Sequence, residues 1–108
     1  PVGAATIAAV GRLLGEIVGS DGLVTRFGGD EYTAYLKRCP RSQGLEMAET
    51  IREAVAEPFV AEGVEVNPTM SLGISSYPED GDDQAGLIRA ADAALYRAKA
   101  AGKNIVCE

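Results

Sequence analysis

The 108 residues include no histidine, only two cysteines, and only 10 lysines and arginines against 16 acids. Each shortage removes a class of function. Without histidine the chain supplies neither imidazole acid–base catalysis nor a histidine-ligated metal. Cys39 and Cys107 are far apart and match no metal-binding spacing, so reduced thiols in a cytoplasmic setting are expected. A formal charge of -6, with no run of basic residues, argues against a nucleic-acid backbone or an anionic membrane as the main partner. A small anionic ligand is still compatible, because a few lysines and a bound cation set the field of a site. There is no apolar stretch of about twenty residues and no basic-then-apolar start, so this segment is expected to make no direct membrane contact, though a parent protein could be membrane-anchored. The length suits one domain or part of one. Pro1 is not an initiator methionine, and a segment upstream of it is expected.

Apolar residues at Ile7, Val10, Leu13, Leu14, Ile17 and Val18 follow the three-and-four spacing of a helix over about Ala4–Val18. After Gly19-Ser20-Asp21-Gly22 come two runs rich in β-branched and aromatic residues, Leu23–Phe27 and Tyr32–Leu36. Ser42 is placed to cap a second helix that runs to about Glu57, with Leu45, Ala48, Ile51 and Val55 on its buried stripe and Pro58 as its stop. Phe59-Val60 and Val64–Val66 flank Glu62-Gly63 as a small hairpin. Met70, Leu72 and Ile74 alternate with small and polar residues, as in a strand with one buried face. Asp82 or Asp83 can cap a last helix whose apolar face is Leu87, Ile88, Ala91, Leu95 and Ala98, and Gly102 suits the left-handed position past its end. Lys103–Cys107 reads as a closing strand. The order predicts an α+β domain built from antiparallel hairpins rather than repeated βαβ units.

The chemistry concentrates between the first two strands, in Gly28-Gly29-Asp30-Glu31. The glycines supply the backbone freedom of a tight reversal and let an anionic ligand approach N–H groups closely. Two adjacent carboxylates hold hard cations through oxygen. Turn chemistry alone favours a purely structural hairpin tip, since Gly-Gly and an acid are ordinary hairpin residues. Lysines at the end of the last helix are likewise favoured by its macrodipole, by about 0.3–1 kcal/mol, with no ligand present. Asp80, Asp82 and Asp83 read as a turn and a cap rather than a metal cluster.

Arg26-Phe27-Gly28-Gly29-Asp30-Glu31-Tyr32 resembles the signature of the GGDEF family of diguanylate cyclases, with tyrosine in place of the final phenylalanine. Two further stretches are similar to the same family in order and spacing: Thr69–Ser75 with Tyr77–Gly81, and Ala91–Lys99 with Gly102-Lys103-Asn104. The resemblance implies a ferredoxin-like nucleotide-cyclase palm, a mostly antiparallel sheet flanked by helices and incomplete in this chain. It implies a nucleotidyltransferase that condenses two GTP into cyclic di-GMP and releases pyrophosphate. Magnesium or manganese would be the cofactor, and two facing domains would be required. Carried over by residue, Gly28 and Gly29 approach the nucleotide, Asp30 holds the metal, Glu31 is the second acid, and Lys99 and Lys103 reach the phosphates. Lys103 stands where arginine is commoner, so a bidentate fork becomes a point charge.

The family begins with a strand that carries another metal-binding aspartate, followed by residues that recognise guanine, and neither precedes Ala4. Residues 1–108 are therefore expected to be the C-terminal two-thirds of a single GGDEF domain, inactive alone, with the missing strand between those around Thr33–Leu36 and Thr69–Ser75. The family's product-feedback positions, arginine and aspartate, fall at Gly19 and Gly22, so inhibition there is not expected. Two other functions compete. One is a degenerate domain that binds GTP and regulates a neighbour such as an EAL phosphodiesterase. The other is a plain ferredoxin-like interaction domain.

Overall fold

The computed structural model describes residues 1–28 and 31–108. For Asp21, Thr25, Arg26, Phe27, Gly28 and Glu31 it describes the backbone only. Helix α1 spans Val2–Val18 and ends at Gly19, whose φ of 70° stops it; a single 3-10 turn, Gly19–Asp21, follows. Strands β1 (Gly22–Gly28) and β2 (Glu31–Leu36) form the expected antiparallel hairpin. Helix α2 covers Arg41–Ala56, and β3 (Phe59–Ala61) and β4 (Val64–Val66) make the small second hairpin. The chain closes with β5 (Leu72–Gly73), α3 (Gln84–Ala100) and β6 (Val106–Cys107).

The core follows the sequence periodicity. Val10, Leu14 and Val18 of α1 meet Ile51 and Val55 of α2, and Val24, Tyr32, Leu36, Met70 and Leu72 pack around them. Burying each of these larger side chains contributes about 1.5–3 kcal/mol, which offsets the cost of Gly11 and Gly15 inside α1. On α3 the buried residues are Ala94 and Ala98. Ile88, expected on the apolar face, is 37% exposed. The contact is set by backbone proximity: a Cβ on Gly73 would overlap the Ala91 carbonyl and the Leu95 amide, and only small residues fit such an approach.

Four local expectations are corrected. Ser42 does not cap α2; Pro40, with φ of -61° and ψ of 154°, is the N-cap, and the helix begins at Arg41. Proline's fixed φ ends the preceding loop two residues earlier than the hydroxyl suggested. The strand around Met70 is covered on both sides, with Met70 and Leu72 on the core and Gly73 and Ser75 against α3, where the Ser75 hydroxyl donates to the Leu87 carbonyl at 2.7 Å. The last strand is Val106–Cys107, because Lys103 and Asn104 take left-handed φ of 66° and 52°. It pairs parallel with β5, so β5-α3-β6 is one βαβ crossover within an otherwise antiparallel fold. Asp83 does cap α3, accepting from the Gly86 amide at 2.7 Å. Glu57 is extended ahead of Pro58, as the residue before proline prefers.

Among the described residues the strands form three two-stranded sheets, β1-β2, β3-β4 and β5-β6, and neither β2 nor β5 has a second neighbour. No described helix is long and apolar enough to cross a membrane. Cys39 and Cys107 are free thiols, both half-buried.

Candidate functional site

The hairpin ladder is regular from Gly22↔Leu36 to Arg26↔Tyr32 and then shifts, so that Gly28 faces Glu31 and Phe27 is the extra residue of a β-bulge. This bulge beside the signature had no signal in the sequence beyond the glycines. Gly28 ends β1 and Glu31 begins β2, which puts both backbones at the closing pair of the hairpin. The Gly29 and Asp30 positions lie outside the described residues, as does the Glu31 side chain.

Two contacts hold this end of the hairpin to α1. The Tyr32 ring packs against the core, and its hydroxyl donates to the Ile7 carbonyl at 2.6 Å. At the other end, Gly22 lies so close to Val18 and β2 that a Cβ there would stand 2.5 Å from Val18 Cγ1 and 2.7 Å from the Tyr35 carbonyl.

A second group forms where α3 ends. Lys99 is in the last turn and exposed, and Lys103 is exposed on the loop that follows. Three successive residues, Gly102, Lys103 and Asn104, have φ of 113°, 66° and 52°. Such backbone is uncommon for lysine and costs of order 1–3 kcal/mol, so its surroundings must hold it in place. They do so from three sides. The Lys103 amide donates to the Ala98 carbonyl at 3.1 Å, the Asn104 amide donates to Ser71 Oγ at 3.1 Å, and Arg52 Nη1 donates to Asn104 Oδ1 at 3.1 Å. Arg52 is itself clamped by Glu49, whose carboxyl is held below its usual range by that guanidinium. Arg52 had no signal in the sequence; Ser71 and Asn104 lie in the stretches that resemble the family, but their hold on this loop was not expected, and only Asn104, a residue that tolerates left-handed backbone, offered a sign of it. Neither lysine has an ion-pair partner among the described residues, so both ammonium groups are available to a ligand.

The turn acids are used by the fold. Asp80 accepts from the Ser76 amide at 2.8 Å and from Arg41 Nη2 at 2.6 Å, and these donors hold its carboxyl below the usual range. Arg41 also reaches Glu108 at 2.9 Å, tying the start of α2 to the chain end. Among the described residues no three acids or cysteines converge as a metal cluster. One groove of about 250 Å³ lies elsewhere, lined by Ala9, Val10, Leu13, Ala54, Glu57, Pro58 and Phe59, and its lining carries no cation for a phosphate. The hairpin packs on α1, whereas α3 packs on β5 and β6.

A model of the family described as "Diguanylate cyclase, GGDEF domain" matches residues 1–105. The chain belongs to the GGDEF family. It is 37% identical over 82 residues to diguanylate cyclase A of Treponema denticola, covering 75% of this chain and 22% of that protein. It is 33% identical over 84 residues to the bifunctional diguanylate cyclase/cyclic di-GMP phosphodiesterase MucR of Pseudomonas aeruginosa, covering 78% of this chain and 12% of that protein. The chain thus spans less than a quarter of these curated relatives. Among solved structures, the GGDEF domain of YfiN (TpbB) from Pseudomonas aeruginosa superposes with a TM-score of 0.91 at 28% identity, covering 99% of this chain and 69% of that one. The α+β GGDEF fold is therefore the fold of this chain.

Proposed function

We propose that this GGDEF domain is a working diguanylate cyclase that joins two GTP molecules into cyclic di-GMP and releases pyrophosphate. The observation that supports this best is the intact acid pair Asp30-Glu31, next to a glycine-ended, bulged strand, in a chain that matches the family over residues 1–105. Gly28 and Gly29 would offer backbone N–H groups to the nucleotide. Asp30, with Glu31 beside it, would hold magnesium or manganese; carboxylate oxygens suit a hard cation that keeps waters and substrate phosphates in the rest of its shell. When bound, such an ion neutralises charge on the phosphates. Lys99 and Lys103, which have no ion-pair partner among the described residues, would turn their ammonium groups to the triphosphate. Each domain would hold one GTP, with the 3′-hydroxyl of one attacking the α-phosphate of the other, so catalysis would need a homodimer of domains.

Residues 1–108 would be the C-terminal two-thirds of the domain, in keeping with the 69% of the YfiN domain that they cover. The second edges of β2 and β5 would then take an upstream strand between them, and these residues alone would not turn over GTP. The crowding at Gly22 leaves no space for the aspartate of the family's feedback site, which supports a cyclase without product inhibition there. A cytoplasmic location, where GTP is made available, fits this chemistry.

A second reading is a GTP-binding regulatory domain beside a partner such as an EAL phosphodiesterase; the lysine at 103 favours it, because a point charge replaces the planar fork that arginine offers a phosphate. The test is to incubate the full-length protein with GTP and magnesium and measure bound GTP and cyclic di-GMP together. Product supports the cyclase, and saturable binding without product supports the regulator.

A further inference from the structure

Tyr32 departs from the phenylalanine of the family signature, and its hydroxyl makes a contact that phenylalanine cannot make. It donates to the Ile7 carbonyl at 2.6 Å, across 25 residues of chain. Ile7 lies inside α1, where each carbonyl already accepts from the amide four residues on, and the tyrosine takes up the second lone pair. The residue four positions on is Gly11. A Cβ there would stand 2.7 Å from the Tyr32 hydroxyl oxygen and 3.2 Å from Cε1 and Cζ. Glycine in mid-helix costs about 1 kcal/mol relative to alanine, yet here it is the residue that leaves room for the ring. The two positions are matched.

The location of the contact gives it a consequence. Arg26↔Tyr32 is the last regular pair before the bulge, and Gly28↔Glu31 is the pair beyond it. A bulge increases local twist and interrupts the ladder, so the ladder alone does not set the direction in which the hairpin end points. The hydroxyl bond ties that end to a rigid helix.

We propose that Tyr32 and Gly11 form a positioning pair: the hydroxyl pins the bulged end of the hairpin to α1 and so fixes where the signature acids stand relative to bound nucleotide. The catalytic half of this rests on the cyclase reading; the pin itself does not. Tyr32 acts through the hairpin and touches no reacting atom.

The test uses the full-length protein with Tyr32→Phe, Gly11→Ala and the double variant, read in two ways. Amide hydrogen exchange at Arg26, Gly28 and Tyr32 should quicken about three- to tenfold in Tyr32→Phe, the range for one lost hydrogen bond, while the buried Ile51 and Val55 amides keep their rates. Gly11→Ala should act in the same direction. The double variant should fall short of the product of the two, because removing the hydroxyl removes the closest overlap. In cyclic di-GMP synthesis, kcat should fall about three- to tenfold at unchanged KM for GTP. Unchanged exchange beside the bulge in Tyr32→Phe overturns the pin. Faster exchange with unchanged kcat, in a protein that makes product, overturns the positioning role. Faster exchange in a protein that makes no product supports the pin and overturns the cyclase reading instead.

Discussion

The same chemical change, glycine to alanine, should have opposite effects at two positions of this domain. At Gly73, where β5 crosses α3, an added Cβ would overlap the Ala91 carbonyl and the Leu95 amide and lie 2.8 Å from Leu95 Cα. All three atoms are backbone of a helix, so no side chain can swing aside. Strand and helix must separate by roughly an ångström, which also loosens Ala94 and Ala98, both fully buried. Overpacking costs about 1–3 kcal/mol, and a clash with backbone belongs at the upper end. At Gly15, inside α1 and exposed, an added Cβ meets nothing within 4 Å. Only helix propensity changes there, and alanine should stabilise by about 0.8–1.0 kcal/mol. Native-state hydrogen exchange of the Ile51 and Val55 amides in the full-length protein reads both through global opening of the domain. Gly73→Ala should speed exchange about a hundredfold, and Gly15→Ala should slow it about fivefold. A Gly73→Ala variant within about 0.5 kcal/mol of the parent would refute the packing argument.

Other expectations follow from local contacts. Asp83→Ala removes the acceptor of the Gly86 amide at the start of α3 and should cost about 1 kcal/mol, seen as a lower urea midpoint; Asp83→Asn should recover most of it. Asp80 and Glu49 both have folded-state pKa values lowered, by the Ser76 amide with Arg41 and by Arg52 respectively. Stability from a lowered carboxyl is fully present above the unfolded value near 4 and is lost as pH falls through the folded one. Urea midpoints should therefore hold from pH 7 to about 5 and decline below about 4. The Asp80→Asn variant should decline less steeply, and an equal slope would contradict the assignment.

The parts of the fold set by periodicity and turn chemistry were legible in the sequence. The helix faces around Leu14 and Val55, both hairpins, the Asp83 cap and the stop at Pro58 depend on neighbours within a few residues. What was not legible depended on distant backbone. The alternation around Leu72 suggested one buried face, yet α3 covers the other so closely that only Gly73 and Ser75 fit there. Ile88 looked like core, but contact through Gly73 rotates α3 onto its alanines. The parallel pairing of β5 with β6 is a tertiary outcome with no local mark. At the site, the signature residues were plain, whereas the bulge at Phe27 had no mark beyond the glycines and the tie from Tyr32 to Ile7 joins residues 25 positions apart. The left-handed Lys103 was unexpected for the same reason, since Ser71 and Arg52 hold its loop from other elements.

The central claim is that Asp30 carries metal-dependent cyclisation at the end of a hairpin whose stability does not depend on it. The most direct measurement compares cyclic di-GMP formed from GTP and magnesium by the full-length protein and by its Asp30→Ala variant, with thermal unfolding of both. The expected result is product from the parent, none above background from the variant, and closely similar melting temperatures. Equal product from the two proteins would contradict the claim.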